Sequence, residues 1–187
     1  MKKIILGSAS PRRKELLSKL GIEFEIRVSN IKEISQKNTP VEYAIDLSKQ
    51  KAQSIEINEN ELLITADTIV AFENKILGKP KDKKDAFNML RMLSGKKHEV
   101  ITGITFKENN SIYSIYDITE VYFHHLNDSI IQYYIENYSP LDKAGSYGIQ
   151  DFAGVFIEKI NGDYYNVMGL PINKIFWYLY EKGVLNV

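Results

Sequence analysis

The chain has 187 residues, 44% hydrophobic and 26% charged, which is enough to bury a core and ordinary for a soluble globular protein. Its 24 basic and 24 acidic side chains cancel, which argues against general nucleic-acid binding, and the lack of cysteine excludes disulfides, thiolate metal sites and a thiol nucleophile. No apolar run approaches the ~20 residues of a bilayer span, and Lys2-Lys3 precedes an apolar stretch too short for a secretory signal, so a cytoplasmic protein without a membrane partner is expected.

Residues 3–6 read as a short buried strand, Gly7-Ser8-Ala9-Ser10 as a small-residue turn, and residues 11–17 as a helix that stops at Gly21. Ser10 suits the N-cap, Pro11 the first helical position and Gly21 the C′ position. Arg12, Arg13 and Lys14 then sit at the positive end of the helix dipole, where each cation costs ~0.3–1 kcal/mol. A strand, a turn and a helix start that keep arginines there point to a polyanion site, where backbone N–H groups and guanidinium groups converge on phosphate oxygens. The alternative is an ordinary strand–helix corner with solvated arginines. On the dipole argument, removing Arg12 or Arg13 should leave the ligand-free protein no less stable. The P-loop pattern does not apply, because no second glycine is followed by Lys and Ser or Thr.

Residues 24–28 alternate as a second strand, and 30–38 form a polar loop. Glu33 lies in that loop, either as a solvated acid, the preferred reading, or as the lip of a site. Thr39-Pro40-Val41-Glu42 is a capping-box start for a helix to about residue 54, with Tyr43, Ala44, Leu47 and Ala52 facing the core. Lys51 on this helix, taken alone, reads as a solvent-facing lysine.

Residues 61–66 read as a buried strand bounded by Asp67-Thr68, with 69–72 continuing extended. An aspartate between two β-forming runs is out of character. It either caps a turn, the preferred reading, or serves chemistry at a strand end. Glu73-Asn74-Lys75 suits a hairpin turn. Lys79 precedes Pro80 and so belongs to an extended loop, ahead of a helix at 83–93. Between Lys75 and Lys97, eight Lys/Arg face two Asp, about +6. Such a local basic wall fits a small anion better than a polymer, although at least half of these lysines suit a solvated helix face.

Residues 98–106 and 111–123 are β-rich and joined by Asn109-Asn110, a tight-turn pair. His98 reads as packed or solvated, and His124-His125 point to opposite faces of a strand, which disfavours a shared metal. Asn127 can cap a helix to about residue 138. Residues 142–150 read as a binding loop rather than a packed element. Residues 155–160 and 164–167 suggest a hairpin across Asn161-Gly162, and Gly169-Leu170-Pro171 opens a last helix. The fold class expected is mixed α/β: a long curved sheet with flanking helices, in two lobes around a cleft, as one domain over residues 1–187.

Ser8-Ala9-Ser10-Pro11-Arg12-Arg13-Lys14-Glu15-Leu16-Leu17 resembles the opening signature of the Maf family, nucleoside triphosphate pyrophosphatases also named septum-formation inhibitors. Ala66-Asp67-Thr68-Ile69-Val70, Gly78-Lys79-Pro80, Leu93-Ser94-Gly95, the run from His98 to Gly103, that from Asp142 to Gln150 and that from Gly162 to Pro171 are similar in order and spacing. The resemblance implies an inosine-triphosphatase-like fold. It also implies hydrolysis of a nucleoside triphosphate to the monophosphate and pyrophosphate with a divalent cation, Mg or Mn. Asp67 matches the family's proton acceptor. Arg12, Thr68 and Gln150 match positions tied to substrate choice, and Ser8, Arg13, Lys51 and Lys79 match other polar positions of the site. Gln150 in its Tyr-Gly-Ile-Gln context looks like the branch acting on dTTP and UTP, with modified pyrimidine nucleotides as an extension. Whether Asp67 accepts a proton or holds the metal stays open, as does a homodimer. Two rivals remain: a non-catalytic nucleotide-binding or division-regulating protein, and a single-stranded RNA binder, which zero net charge disfavours.

Overall fold

A computed structural model describes residues 2–185. In chain order the elements are β1 (Lys3–Leu6), α1 (Pro11–Ser18), β2 (Phe24–Ile26), α2 (Pro40–Ser54), β3 (Glu61–Phe72), β4 (Lys75–Leu77) and α3 (Lys83–Leu93). They continue with β5 (Lys97–Glu108), β6 (Ser111–Phe123), α4 (Asp128–Asn137), β7 (Ile157–Asn161), α5 (Tyr164–Met168) and α6 (Ile172–Glu181). The seven strands form one mixed sheet in the order β2-β1-β3-β5-β6-β7, with β4 on β3. β1 runs parallel to β2 and β3, and every other pairing is antiparallel. The mixed α/β expectation is met. Among the described residues no helix is long and apolar enough to cross a membrane.

β3 is the spine. Its first half and α1, β1 and α6 share one hydrophobic cluster built on Leu6, Leu16, Leu17, Ile64, Phe106 and Leu179. Its last residues share another with α3, α4 and the ends of β5 and β6, built on Phe72, Leu90, Phe123, Tyr134 and Phe156. α2 packs across the opposite face. It comes so close that a Cβ on Gly103 would stand 2.5 Å from the Ala44 carbonyl. Thr39 accepts from the Glu42 N–H as the N-cap, as the capping box requires. Both tight turns open where expected, with Glu73, Asn74 and Asn109 at positive φ.

Four expectations are corrected. Asp67 ends no strand and caps no turn: β3 runs unbroken from Glu61 to Phe72, paired to β5 throughout its middle. Residues 164–168 are a helix, not the return strand of a hairpin. Asp163 accepts from the Tyr165 N–H as its N-cap, and Gly169 closes it in the left-handed conformation. The 142–150 segment is packed, with Lys143, Ser146 and Tyr147 buried. Ser10 stands at the N-cap of α1 but makes no side-chain cap bond, and its own N–H donates to Ser8 Oγ.

Candidate active site

The β3 edge that faces β1 and β4 is interrupted. Residues 61–64 pair with β1 and residues 70–72 with β4, so residues 65–69 have no strand partner there. An unpaired carbonyl at such a gap must find another donor. At Ala66 the donors are cationic side chains: Arg13 Nη1 donates to its oxygen at 2.8 Å and Lys51 Nζ at 3.3 Å. The gap in strand pairing thus concentrates positive charge beside Asp67.

Alternation along β3 splits the two neighbouring polar residues between the faces. Asp67 turns toward α2, where Lys51 Nζ donates to its Oδ1 at 2.5 Å. Thr68 turns to the other face, where its hydroxyl meets Thr102 Oγ1 at 2.9 Å, Arg13 Nη2 at 3.1 Å and the Gly169 carbonyl at 3.3 Å. The Lys51 ammonium also meets Glu33 Oε2 at 3.0 Å, so two carboxylates share one cation. This places Glu33 at the lip of the site and corrects both the solvated reading of Glu33 and the solvent reading of Lys51.

Arg13 is held at three points: Ala66 O, Thr68 Oγ1 and the Gly169 carbonyl, the last at 2.8 Å from Nε. Burial pushes its guanidinium below the ordinary arginine value, while the nearby Asp67 charge opposes the shift. These bonds argue against the expectation that Arg13 is dispensable for stability, since it ties α1 to β3 and to the end of α5. Arg12 differs. Among the described residues its only ion pair is a 3.9 Å approach to exposed Asp142.

These groups line one cleft of about 380 Å³, with Ser10, Thr68, Lys79, Asp142, Lys143, Tyr147 and Gln150 on its walls. Five cationic side chains stand against three carboxylates on the lining. Lys79 makes no ion pair and Gln150 no hydrogen bond among the described residues. Both reach the cleft as expected. Ser8 does not line it, and instead braces the turn below through the Ser10 N–H. Of the basic stretch between Lys75 and Lys97, only Lys79 reaches the cleft. Lys143 was not singled out, although it lies inside a motif that was: its ammonium joins Ser139 O, Asp142 and Asp151 under the 142–150 segment. Beneath the same wall, buried His98 bonds through Nε2 to Tyr147 Oη at 2.7 Å, and burial pushes its imidazole down to about 3.

Such a cleft can hold a polyphosphate on Arg12, Lys79 and the uncapped start of α1, and it offers a carboxylate, Asp67, to a reacting group beside it. Among the described residues no cluster of three or more His, Cys, Asp or Glu exists that would cage a metal by itself.

A family model described as Maf-like protein matches residues 3–182. A dTTP/UTP pyrophosphatase of Thermosipho africanus is 47% identical over 184 residues, covering 98% of this chain and 95% of its own. Proteins of the same name from Flavobacterium psychrophilum and Bacillus pumilus are 49% and 48% identical, covering 95% and 98% of this chain and 93% and 98% of their own. Among solved structures, the Ham1 protein of Staphylococcus aureus overlays with a TM-score of 0.47 at 13% identity, over 65% of this chain and 72% of that one. That match is too loose to bear on the site. With nearly half of its residues shared along almost its whole length, and a family model running from β1 to the end of α6, the chain belongs to the family of Maf-like proteins.

Proposed function

We propose that the protein hydrolyses dTTP and UTP to the monophosphate and pyrophosphate. The observation that carries this reading is the carboxylate of Asp67, set at a gap in the sheet among Arg12, Arg13, Lys51 and Lys79. A pure nucleotide-binding scaffold has no need of a carboxylate amid phosphate ligands. The names of the relatives support the same substrates.

In this reading water attacks the α-phosphorus, the bond from that phosphorus to the α–β bridging oxygen breaks, and pyrophosphate leaves. Asp67 accepts the proton of the attacking water. Arg12, Lys79 and the first free N–H groups of α1 stabilise charge on the departing pyrophosphate. Lys51 holds Asp67 in place from one side, and Arg13 fixes the β3 edge from the other.

The donor set suits a divalent cation. Asp67 and Glu33 already converge on one positive charge, the Lys51 ammonium, and hard cations such as Mg or Mn are held by one or two carboxylates plus substrate phosphates rather than by a protein cage. Glu33 would hold it together with the substrate phosphates, which leaves the free oxygen of Asp67 to the attacking water, and it would supply neutralising charge to the phosphate oxygens.

Gln150, on the cleft wall, reads the base. A primary amide can accept from the N3–H of uracil or thymine and donate to O4. The test is product analysis over dTTP, UTP, CTP and GTP, with and without EDTA. Pyrophosphate is expected as the direct product, from dTTP and UTP foremost, and lost on chelation. Orthophosphate as direct product, or binding without turnover, would refute the reading. Gln150→Glu should lower kcat/KM for dTTP and UTP by a loss on the order of 1–3 kcal/mol. An equal fall for all four nucleotides would remove Gln150 from base selection.

A further inference from the structure

Residues 30–38 reach the cleft through Glu33 and have little to hold them. Nearly all are exposed, and even the apolar Ile31 and Ile34 stand 40% and 61% exposed, so the segment buries almost no hydrophobic surface. Among the described residues, three side chains outside it bond to it: Ser29, the residue just before it, accepts from the Ile31 N–H at 3.4 Å, and the other two come from α2. Lys51 meets Glu33, and Gln50, the preceding residue on α2, meets Ile34.

The Gln50 contact is a two-point clamp. Its Oε1 accepts from the Ile34 N–H at 3.3 Å, and its Nε2 donates to the Ile34 carbonyl at 2.8 Å. The amide thus pairs with one backbone residue as a neighbouring strand would. Its orientation is fixed independently, because Nε2 also donates to Asp46 Oδ2 at 3.0 Å, one turn back on α2. A carboxylate can only accept, so the nitrogen must face Asp46 and the flipped amide is excluded. Ile34 directly follows Glu33, and Gln50 directly precedes Lys51. Clamping the first pair therefore sets the reach of the second.

We infer that Gln50 is a positioning residue: it seats the 30–38 segment on α2 so that Glu33 lies against Lys51 beside Asp67. Its effect on turnover rests on the pyrophosphatase reading, whereas its effect on the segment does not.

The segment carries its own probe, since Lys32 and Lys37 are exposed trypsin sites. Gln50→Met keeps the length and helix propensity of the side chain but removes both bonds. Limited tryptic cleavage at these lysines should accelerate by about 5- to 150-fold, the range for two net hydrogen bonds, with a fall in Tm of no more than several degrees. Gln50→Glu keeps one acceptor but sets its second oxygen against the Ile34 carbonyl and the Asp46 carboxylate, so its cleavage should be at least as fast as that of Gln50→Met. Turnover of dTTP should drop in Gln50→Met, and this drop should vanish when Glu33→Gln is already present, because the clamp acts only through Glu33. Unchanged cleavage overturns the clamp. Faster cleavage with an equal activity loss in both backgrounds overturns the route through Glu33. If the wild type releases no pyrophosphate, the functional reading fails, and the tryptic rates alone decide whether Gln50 holds the segment.

Discussion

Arg12 and Arg13 are adjacent and both line the cleft, but only Arg13 is also pinned to the scaffold. Arg13 gives three of its five N–H donors to Ala66 O, Thr68 Oγ1 and Gly169 O. Arg13→Ala leaves carbonyls at the sheet gap without these partners, which costs roughly 1–3 kcal/mol and should lower Tm by several degrees in a chain of this size. Arg12→Ala should leave Tm unchanged and lower kcat/KM. Equal thermal midpoints for the two variants would contradict the assignment. The helix-dipole argument from sequence described Arg12 but failed for Arg13, whose partners lie 53 to 156 residues away. His98 offers a second residue-scale test. Its folded imidazole is pushed down to about 3, against roughly 6.5 unfolded. The unfolded chain therefore takes up a proton that the folded one refuses, so this contribution is fully present above pH 6.5 and is lost as pH falls toward 3. Between pH 6.5 and 5, where most carboxylates stay ionised, stability should fall as the solution is acidified, and His98→Asn should flatten that slope. An identical slope in the variant would show that His98 does not drive it.

At the scale of elements, the strand–turn–helix opening, the capping box of α2 and the two tight turns were legible because each is written in local residues. α5 was not. Asn161-Gly162 carries a strong hairpin signal, but Asp163 caps the next turn as a helix, and β7 already has its partner in β6. The interruption along the β3 edge was equally illegible, since it arises from where β1 ends and β4 begins in space. Asp67 stood out only as an aspartate among β-formers, which gave its importance but not its setting. The approach of α2 to the sheet yields a test. The Cβ of Gly103→Ala would meet the Ala44 backbone at 2.5 Å, which no rotamer can relieve, so α2 must shift. The variant should lose roughly 1–3 kcal/mol of stability. Because α2 carries Lys51 and Gln50, it should lose more turnover than its stability alone explains. Wild-type Tm and activity would contradict the tight contact.

Across the whole molecule, a chain of zero net charge keeps a local excess of cations at one cleft, between two hydrophobic clusters that share β3. The excess is local because the sheet gap needs donors there, and the same donors suit a triphosphate. What sequence resemblance supplied was the list of polar positions; what the fold adds is which of them face the cleft. Ser8 holds the scaffold, Arg13 holds it and lines the cleft as well, and Arg12, Lys51, Asp67, Thr68, Lys79 and Gln150 line the open space. The central claim is that Asp67 takes the proton of the attacking water. Its most direct test is pyrophosphate release from dTTP by Asp67→Asn beside wild type, with Tm measured on the same samples. The account predicts a loss of about 10²–10⁴-fold in kcat, the contribution of a positioned general base, at a Tm close to wild type. Near-normal kcat in a folded Asp67→Asn protein would contradict it.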